Sequence, residues 1–183
     1  MIDELLGEAE AKMRHAVEHL QGEFATVRTG RANASVLHRV MVDYYGAPTP
    51  LQQLASVSVP EPQLLVIQPY DRSSLTTIER AIQMSSLGVN PANDGTVIRL
   101  AFPPLTEERR RELIKLVHHQ AEEGRVAVRN VRRHSKSDME ALEGEVSEDD
   151  VRRGEASLQE MTDRFIKRVD ELLQHKEAEL LEV

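Results

Sequence analysis

The 183-residue chain has no cysteine and no tryptophan, and only three tyrosines and three phenylalanines. Without cysteine there are no disulfides, no thiol catalysis and no Cys-ligated zinc or iron–sulfur centre. With so few aromatics the core must come from Leu, Val, Ile, Ala and Met, and recognition of single strands by base stacking on aromatic platforms is disfavoured. No apolar run approaches the ~20 residues needed to span a bilayer. The N-terminus, Met1-Ile-Asp-Glu-Leu-Leu, begins acidic and lacks the basic and apolar regions of a signal peptide. A cytoplasmic protein without membrane contact is expected. The chain also lacks a Gly-x4-Gly-Lys-Ser/Thr phosphate loop, so it is not expected to hydrolyse nucleotides itself. It has no internal repeat and no low-complexity segment.

What is present is an unusual distribution of charge. The net charge is −8, yet residues 105–133 carry a net +3, against −3 for 1–29, zero for 30–104 and −8 for 134–183. Four arginines fall within Arg125-Val-Ala-Val-Arg129-Asn-Val-Arg132-Arg133. At 100° per residue, Arg125, Arg129, Arg132 and Lys136 lie within about 60° of one another on a helix, with Arg111 and His118 in the same sector. Val117, Gly124, Val128, Val131 and Leu142 line a neighbouring sector and mark the core face. A ridge of planar, permanently charged guanidiniums suits phosphate oxygens, which points to nucleic acid. The alternative is an ordinary solvated helix face.

The spacing of apolar residues from Ile2 through Leu5, Leu6, Ala9, Met13, Ala16, Leu20 and Phe24 to Val27 predicts a first long helix over 2–28, ended near Gly30. From Arg39 the period changes to that of a strand. Strands are predicted around Val40–Tyr44, Leu54–Val59, Leu64–Gln68 and Val97–Phe102. A short helix capped by Ser73 or Ser74 should run to Met84, and Gly46–Pro50 and Gly88–Gly95 should be loops. Thr106 is placed to cap a second long helix running to about Leu142, and Ser147 a third running to about Leu181. The third should bury Val151, Leu158, Met161, Phe165, Val169 and Leu172. Three long amphipathic helices must cover one another's apolar stripes. The expected fold is therefore α+β: a three-helix bundle (1–29 and 105–183) interrupted by a small inserted β/α/β-type domain (30–104). Two linkers would form a hinge at Thr29, Gly30 and Arg31 and at Pro103, Pro104 and Leu105. An antiparallel first and second helix could bring the arginines at the end of the first onto the surface carrying Arg129–Arg133.

Seven segments in order resemble the ribosome recycling factor family over essentially the full length. They are Arg28-Thr-Gly30-Arg31-Ala-Asn, Tyr44-Tyr-Gly46, Pro50-Leu-Gln-Gln-Leu-Ala-Ser-Val57, Leu87-Gly-Val-Asn90-Pro91, Pro104-Leu-Thr-Glu-Glu-Arg-Arg110, Val128-Arg-Asn-Val-Arg-Arg133 and Lys176-Glu-Ala-Glu-Leu. The resemblance implies an L-shaped monomer that binds ribosomal RNA on the intersubunit face of the large subunit after termination. It implies elongation factor G as second partner, GTP hydrolysis by that factor, and no enzymatic activity, cofactor or metal in this chain. It carries over Arg28, Arg31, Arg129, Arg132 and Arg133 as RNA-contacting residues, with Arg109, Arg110 and Arg125 as second-rank candidates. Two departures stand out. Ser86 replaces an Asp common before the Leu-Gly pair, and residues 134–145 form a shorter, acidic stretch where relatives have a lysine-rich one. A repurposed paralogue, or a helical module that binds an acidic protein, is the alternative reading. His15-x-x-x-His19 sets two imidazoles on one helix face, but no third metal ligand accompanies them.

Overall fold

The computed structural model describes residues 1–27, 29–85 and 87–182. It divides into two compact units, Met1–Arg28 with Thr106–Val183, and Thr29–Leu105.

The first unit is a bundle of α1 (Ile2–Thr26), α4 (Glu107–Glu140) and α5 (Glu148–Leu181). Both long C-terminal helices start on side-chain caps. The Thr106 hydroxyl accepts from Arg109 N–H at 3.1 Å, and the Ser147 hydroxyl accepts from Asp150 N–H at 3.2 Å. Acidic residues fill both first turns, where they meet the positive end of the helix dipole. The connection between α4 and α5 contains Gly144 at φ +95°, a conformation that costs a residue with a Cβ about 1–2 kcal/mol. Leu142 lies beyond the end of α4, in this connection, and is only half-buried.

The three helices pack on one another pairwise. Ala9, Met13, Val128, Met139, Val151, Leu158 and Met161 form a buried cluster, each large side chain contributing ~1.5–3 kcal/mol by leaving water. The apolar spacing located the stripes closely, but on α5 Leu173 and Leu180 are buried where Leu172 is half-exposed. Two glycines allow close approach. A Cβ on Gly124 would lie 3.3 Å from Leu20 Cδ2 of α1, and one on Gly154 would lie 2.7 Å from Ile2 Cγ2. Since Leu20 meets Gly124 while Ile2 reaches Met139 and Gly154, α1 runs antiparallel to α4.

The second unit has two antiparallel sheets and a short helix. β1 (Met41–Tyr44) pairs with β2 (Ala47–Pro50) through a hairpin whose two turn residues, Tyr45 and Gly46, have φ of +50° and +82°. Positive φ at both positions matches the strand twist of a tight hairpin. The expected loop over Gly46–Pro50 is thus mostly a strand, because prolines are tolerated where no further strand needs their N–H. A four-residue helical turn, α2 (Leu51–Leu54), precedes β3 (Ala55–Glu61), so the strand expected from Leu54 begins one residue later. β4 (Leu64–Pro69), β6 (Ile98–Ala101) and the edge strand β5 (Pro91–Asn93) complete a sheet in the order β3-β4-β6-β5. β5 lies within the expected 88–95 loop. It is short and headed by proline, and among the described residues it pairs with β6 alone.

Leu65 faces Leu100 and Ile67 faces Ile98 across the β4–β6 ladder, all fully buried. They pack in one cluster with Leu75, Ile78 and Ile82 of α3 (Leu75–Met84). The start of α3 differs from expectation. Asp71, not a serine side chain, accepts from Ser73 N–H at 3.0 Å and caps a 3-10 turn at Arg72–Ser74. The Ser74 hydroxyl donates instead to the Asp71 carbonyl at 2.6 Å. Ser86, the departure noted above, lies outside the described residues.

Candidate nucleic-acid interface

α4 carries the arginine ridge, and its side chains divide by partner. A polar ladder joins α4 to α5 at seven-residue steps along α4. His118 Nε2 lies 3.3 Å from Glu177, Arg125 donates to Asp170 at 2.7 and 2.8 Å, and Arg132 donates to the Gln159 side-chain oxygen at 3.0 Å. The partners move N-terminally along α5 as α4 advances, so the two helices are antiparallel. A seven-residue step returns to nearly the same face of a helix, which keeps the ladder on one seam.

Arg125 is a cross-link of this seam. Its side chain is 19% exposed and it also donates to Glu122 at 3.0 Å. Burial works to lower its pKa, but the hydrogen bonds and charges of Asp170 and Glu122 prevail and raise it. Glu122 is shifted down, chiefly by the hydrogen bond from Arg125, with Arg129 adding to it at 3.2 Å. Helical angle alone placed Arg125 with the free cations, whereas two carboxylates already occupy its guanidinium.

Arg132 and Arg133 differ. Arg132 is half-buried and bound to an uncharged amide, and Arg133 is exposed and bonded to the Asn130 side chain. Among the described residues neither guanidinium has a carboxylate within 4.0 Å. Both line a groove of about 380 Å³ between α4 and α5, together with Lys136, Arg152, Glu155 and Gln159. Arg152 was missed by sequence reasoning. It lies in the acidic C-terminal segment, and only the antiparallel pairing of α4 with α5 brings it beside Arg132.

The remaining predicted residues are scattered. Arg109 is exposed and pairs within its own helix with Glu112 at 2.7 Å. Arg110 is half-buried, and its Nε is buried without a hydrogen-bond partner, for which the surroundings offer no explanation. Arg31 is exposed and belongs to the smaller unit; Arg28 lies outside the described residues. The last turn of α1 is not level with Arg132. With Leu20 beside Gly124, Thr26 falls near residue 118 of α4, about 20 Å along the helix from Arg132 at 1.5 Å per residue. The two linker segments, both in the smaller unit, touch. Gly30 has φ +76°, and a Cβ there would lie 3.1 Å from Leu105 N and 3.2 Å from Leu105 Cγ. His15 and His19 are exposed, and His19 sits 2.8 Å from Glu23. Among the described residues no cluster of three His, Asp or Glu could hold a metal, and no helix is long and apolar enough to cross a membrane.

A family model described as ribosome recycling factor matches residues 20–181. The chain belongs to the ribosome recycling factor family. It is 57% identical to the ribosome-recycling factor of Acidothermus cellulolyticus over the whole of both chains, and 59% identical to that of Rubrobacter xylanophilus over 97% of each. Among solved structures it is similar to a solution structure of the ribosome recycling factor, at 44% identity and a TM-score of 0.85, covering all of this chain and 98% of that one. A second similar structure holds the Thermus thermophilus ribosome recycling factor and Escherichia coli elongation factor G bound to the E. coli post-termination complex. It matches at 44% identity and a TM-score of 0.67 over the whole of both chains. The long helical bundle with its small β-rich insertion is therefore the family's fold. Tyr44-Tyr-Gly46, one of the segments that carried the resemblance, is the tight hairpin of that insertion.

Proposed function

We propose that this chain acts as a ribosome recycling factor. It binds the post-termination ribosome and, with elongation factor G and GTP, promotes separation of the subunits and release from mRNA. The observation that carries this reading is the full-length relationship to ribosome-recycling factors at 57% identity, joined by a bundle surface that leaves Arg132 and Arg133 without a carboxylate partner among the described residues. Large-subunit RNA on the intersubunit face is the ligand this surface suits, because guanidiniums not already neutralised can each take a phosphate bidentately. Arg129 adds to it by exchanging Glu122 for a phosphate. Arg28 and Arg31 are assigned to the same RNA through the family motif, as further contacts beyond the groove. Arg109 and Arg110 rank below them, and Arg125 below those, since its carboxylates hold it.

The hinge is assigned to Thr29-Gly30-Arg31 and Pro103-Pro104-Leu105. Gly30 supplies the positive φ and the close approach, and the prolines stiffen the return. The protein works as a monomer and performs no bond chemistry; elongation factor G hydrolyses the GTP. The acidic 134–145 segment favours a second reading, a paralogue that binds ribosomes without recycling them.

Splitting of post-termination ribosomes followed by light scattering, with elongation factor G and GTP, tests the proposal. Wild type should split them and Arg132→Ala should lose most of that activity while keeping its helical circular dichroism. A folded wild type that leaves homologous ribosomes intact would sink it.

A further inference from the structure

We infer that Arg152 of α5 is an RNA-backbone contact, and that the binding surface is a two-helix groove instead of a ridge on α4. This rests on the reading of the chain as a ribosome-binding factor. Arg132 and Lys136 stand one turn apart on α4, while Arg152 and Gln159 stand two turns apart on the same face of α5. Together with Arg133 and Glu155 they line one groove. Cations thus face the groove from both helices.

Their state distinguishes these cations from most arginines of the bundle; among the described residues Arg110, Lys115 and Lys167 also lack a carboxylate within 4.0 Å, but none of them lines the groove. Arg14, Arg111, Arg125, Arg129, Arg153 and Arg164 each have a carboxylate within 4.0 Å. Arg132, Arg133 and Arg152 have none among the described residues. The neighbouring Arg153 is tied to Asp150, which leaves Arg152 as the open guanidinium of that turn. Among the described residues Lys136 has Glu140 alone, at 3.6 Å. Glu155 is the one acid lining the groove. Three open guanidiniums on two walls, in a chain of net charge −8, form a local field that a polyanion can enter while the remaining surface repels it. A phosphodiester backbone offers charge at regular intervals and can be held from both sides at once.

The test is affinity for purified large ribosomal subunits as a function of salt, for wild type, Arg132→Ala, Arg152→Ala, Arg152→Lys and Arg153→Ala. Arg153→Ala removes the same charge one residue away, outside the groove. Arg152→Ala is expected to weaken binding about tenfold and to lower the slope of log affinity against log salt by roughly 0.7–0.9, one phosphate's share. Arg152→Lys should keep the slope and recover part of the affinity. Arg153→Ala should remain within about twofold of wild type. If Arg132→Ala weakens binding but Arg152→Ala matches Arg153→Ala, the groove is wrong and the recycling reading stands. A loss in Arg152→Ala with an unchanged salt slope would place the residue against a ribosomal protein and overturn the inference. Wild type that shows no salt-sensitive binding at all would overturn both readings.

Discussion

Arg132 gives an N–H to the amide oxygen of Gln159, which in turn donates to Asp163 at 2.9 Å. The amide orients the guanidinium without cancelling its charge, so the cation is aimed and still available. A carboxylate at 159 would cancel it. Gln159→Glu is expected to change folding stability by no more than about 1 kcal/mol, since the new pair is surface-exposed and the bond to Asp163 is lost. Large-subunit affinity should nonetheless fall, by about three- to tenfold in an equilibrium titration. A second residue-scale outcome concerns the smaller unit. Asp94 accepts from the backbone N–H groups of Val97 and Thr96 and from Arg99, which holds its pKa down from 3.8 to about 2. The folded state therefore favours the ionised form. Its stabilisation is complete above the unfolded value and is lost as pH falls through about 2. An NMR titration of the Asp94 carboxyl carbon should show a midpoint near 2, and a midpoint near 3.8 would mean that the turn is not formed in solution.

At the scale of the element, helix contacts are decided by glycines that look alike in sequence. Gly22 of α1 faces open space, whereas a Cβ on Gly154 of α5 would meet Ile2 at 2.7 Å and Met139 at 3.3 Å. Gly22→Ala should raise stability by ~0.5–1 kcal/mol through helix propensity alone. Gly154→Ala gains the same term but must push the Ile2 and Met139 side chains aside, and a net loss of ~1 kcal/mol is expected. Urea midpoints moving in opposite directions with equal slopes would verify both. This contrast marks what local sequence can express. The long helices were legible because their apolar period and the caps at Thr106 and Ser147 are local. The prolines of β2 and β5 read as loop because an edge strand differs from a loop only in having a partner. Sequence could not show that Arg125 is paired across the seam while Arg152 lines the groove, for the same reason. Helical angle places a side chain on a face, but whether that face holds Asp170 or open groove depends on the other helix. Arg132 and Arg133 could be named as candidates from sequence because their family motif lies within one helix.

At the scale of the whole molecule, charge and chromophores are both segregated. All three tyrosines, Tyr44, Tyr45 and Tyr70, lie in the smaller unit, and there is no tryptophan. Tyrosine fluorescence thus reports that unit alone, while helical circular dichroism is dominated by the bundle. Gly30→Ala places a Cβ at φ +76° and 3.1 Å from Leu105 N, so a cost of ~1–3 kcal/mol is expected. Thermal scans should show the fluorescence transition falling by more than the dichroism transition, and equal shifts would contradict that assignment of strain. The contact of Gly30 with Leu105 also bears on the order of events as the chain is made. α1 leaves the ribosome first, yet the helices that cover its apolar stripe emerge only after the whole insertion. Closing a loop of that length by chance costs on the order of 4 kcal/mol of chain entropy. An insertion that folds while α4 is still being synthesised has already joined its own two ends. The nascent α1 then meets α4 across a gap of a few residues, and the bundle can form with the kinetics of a helical hairpin.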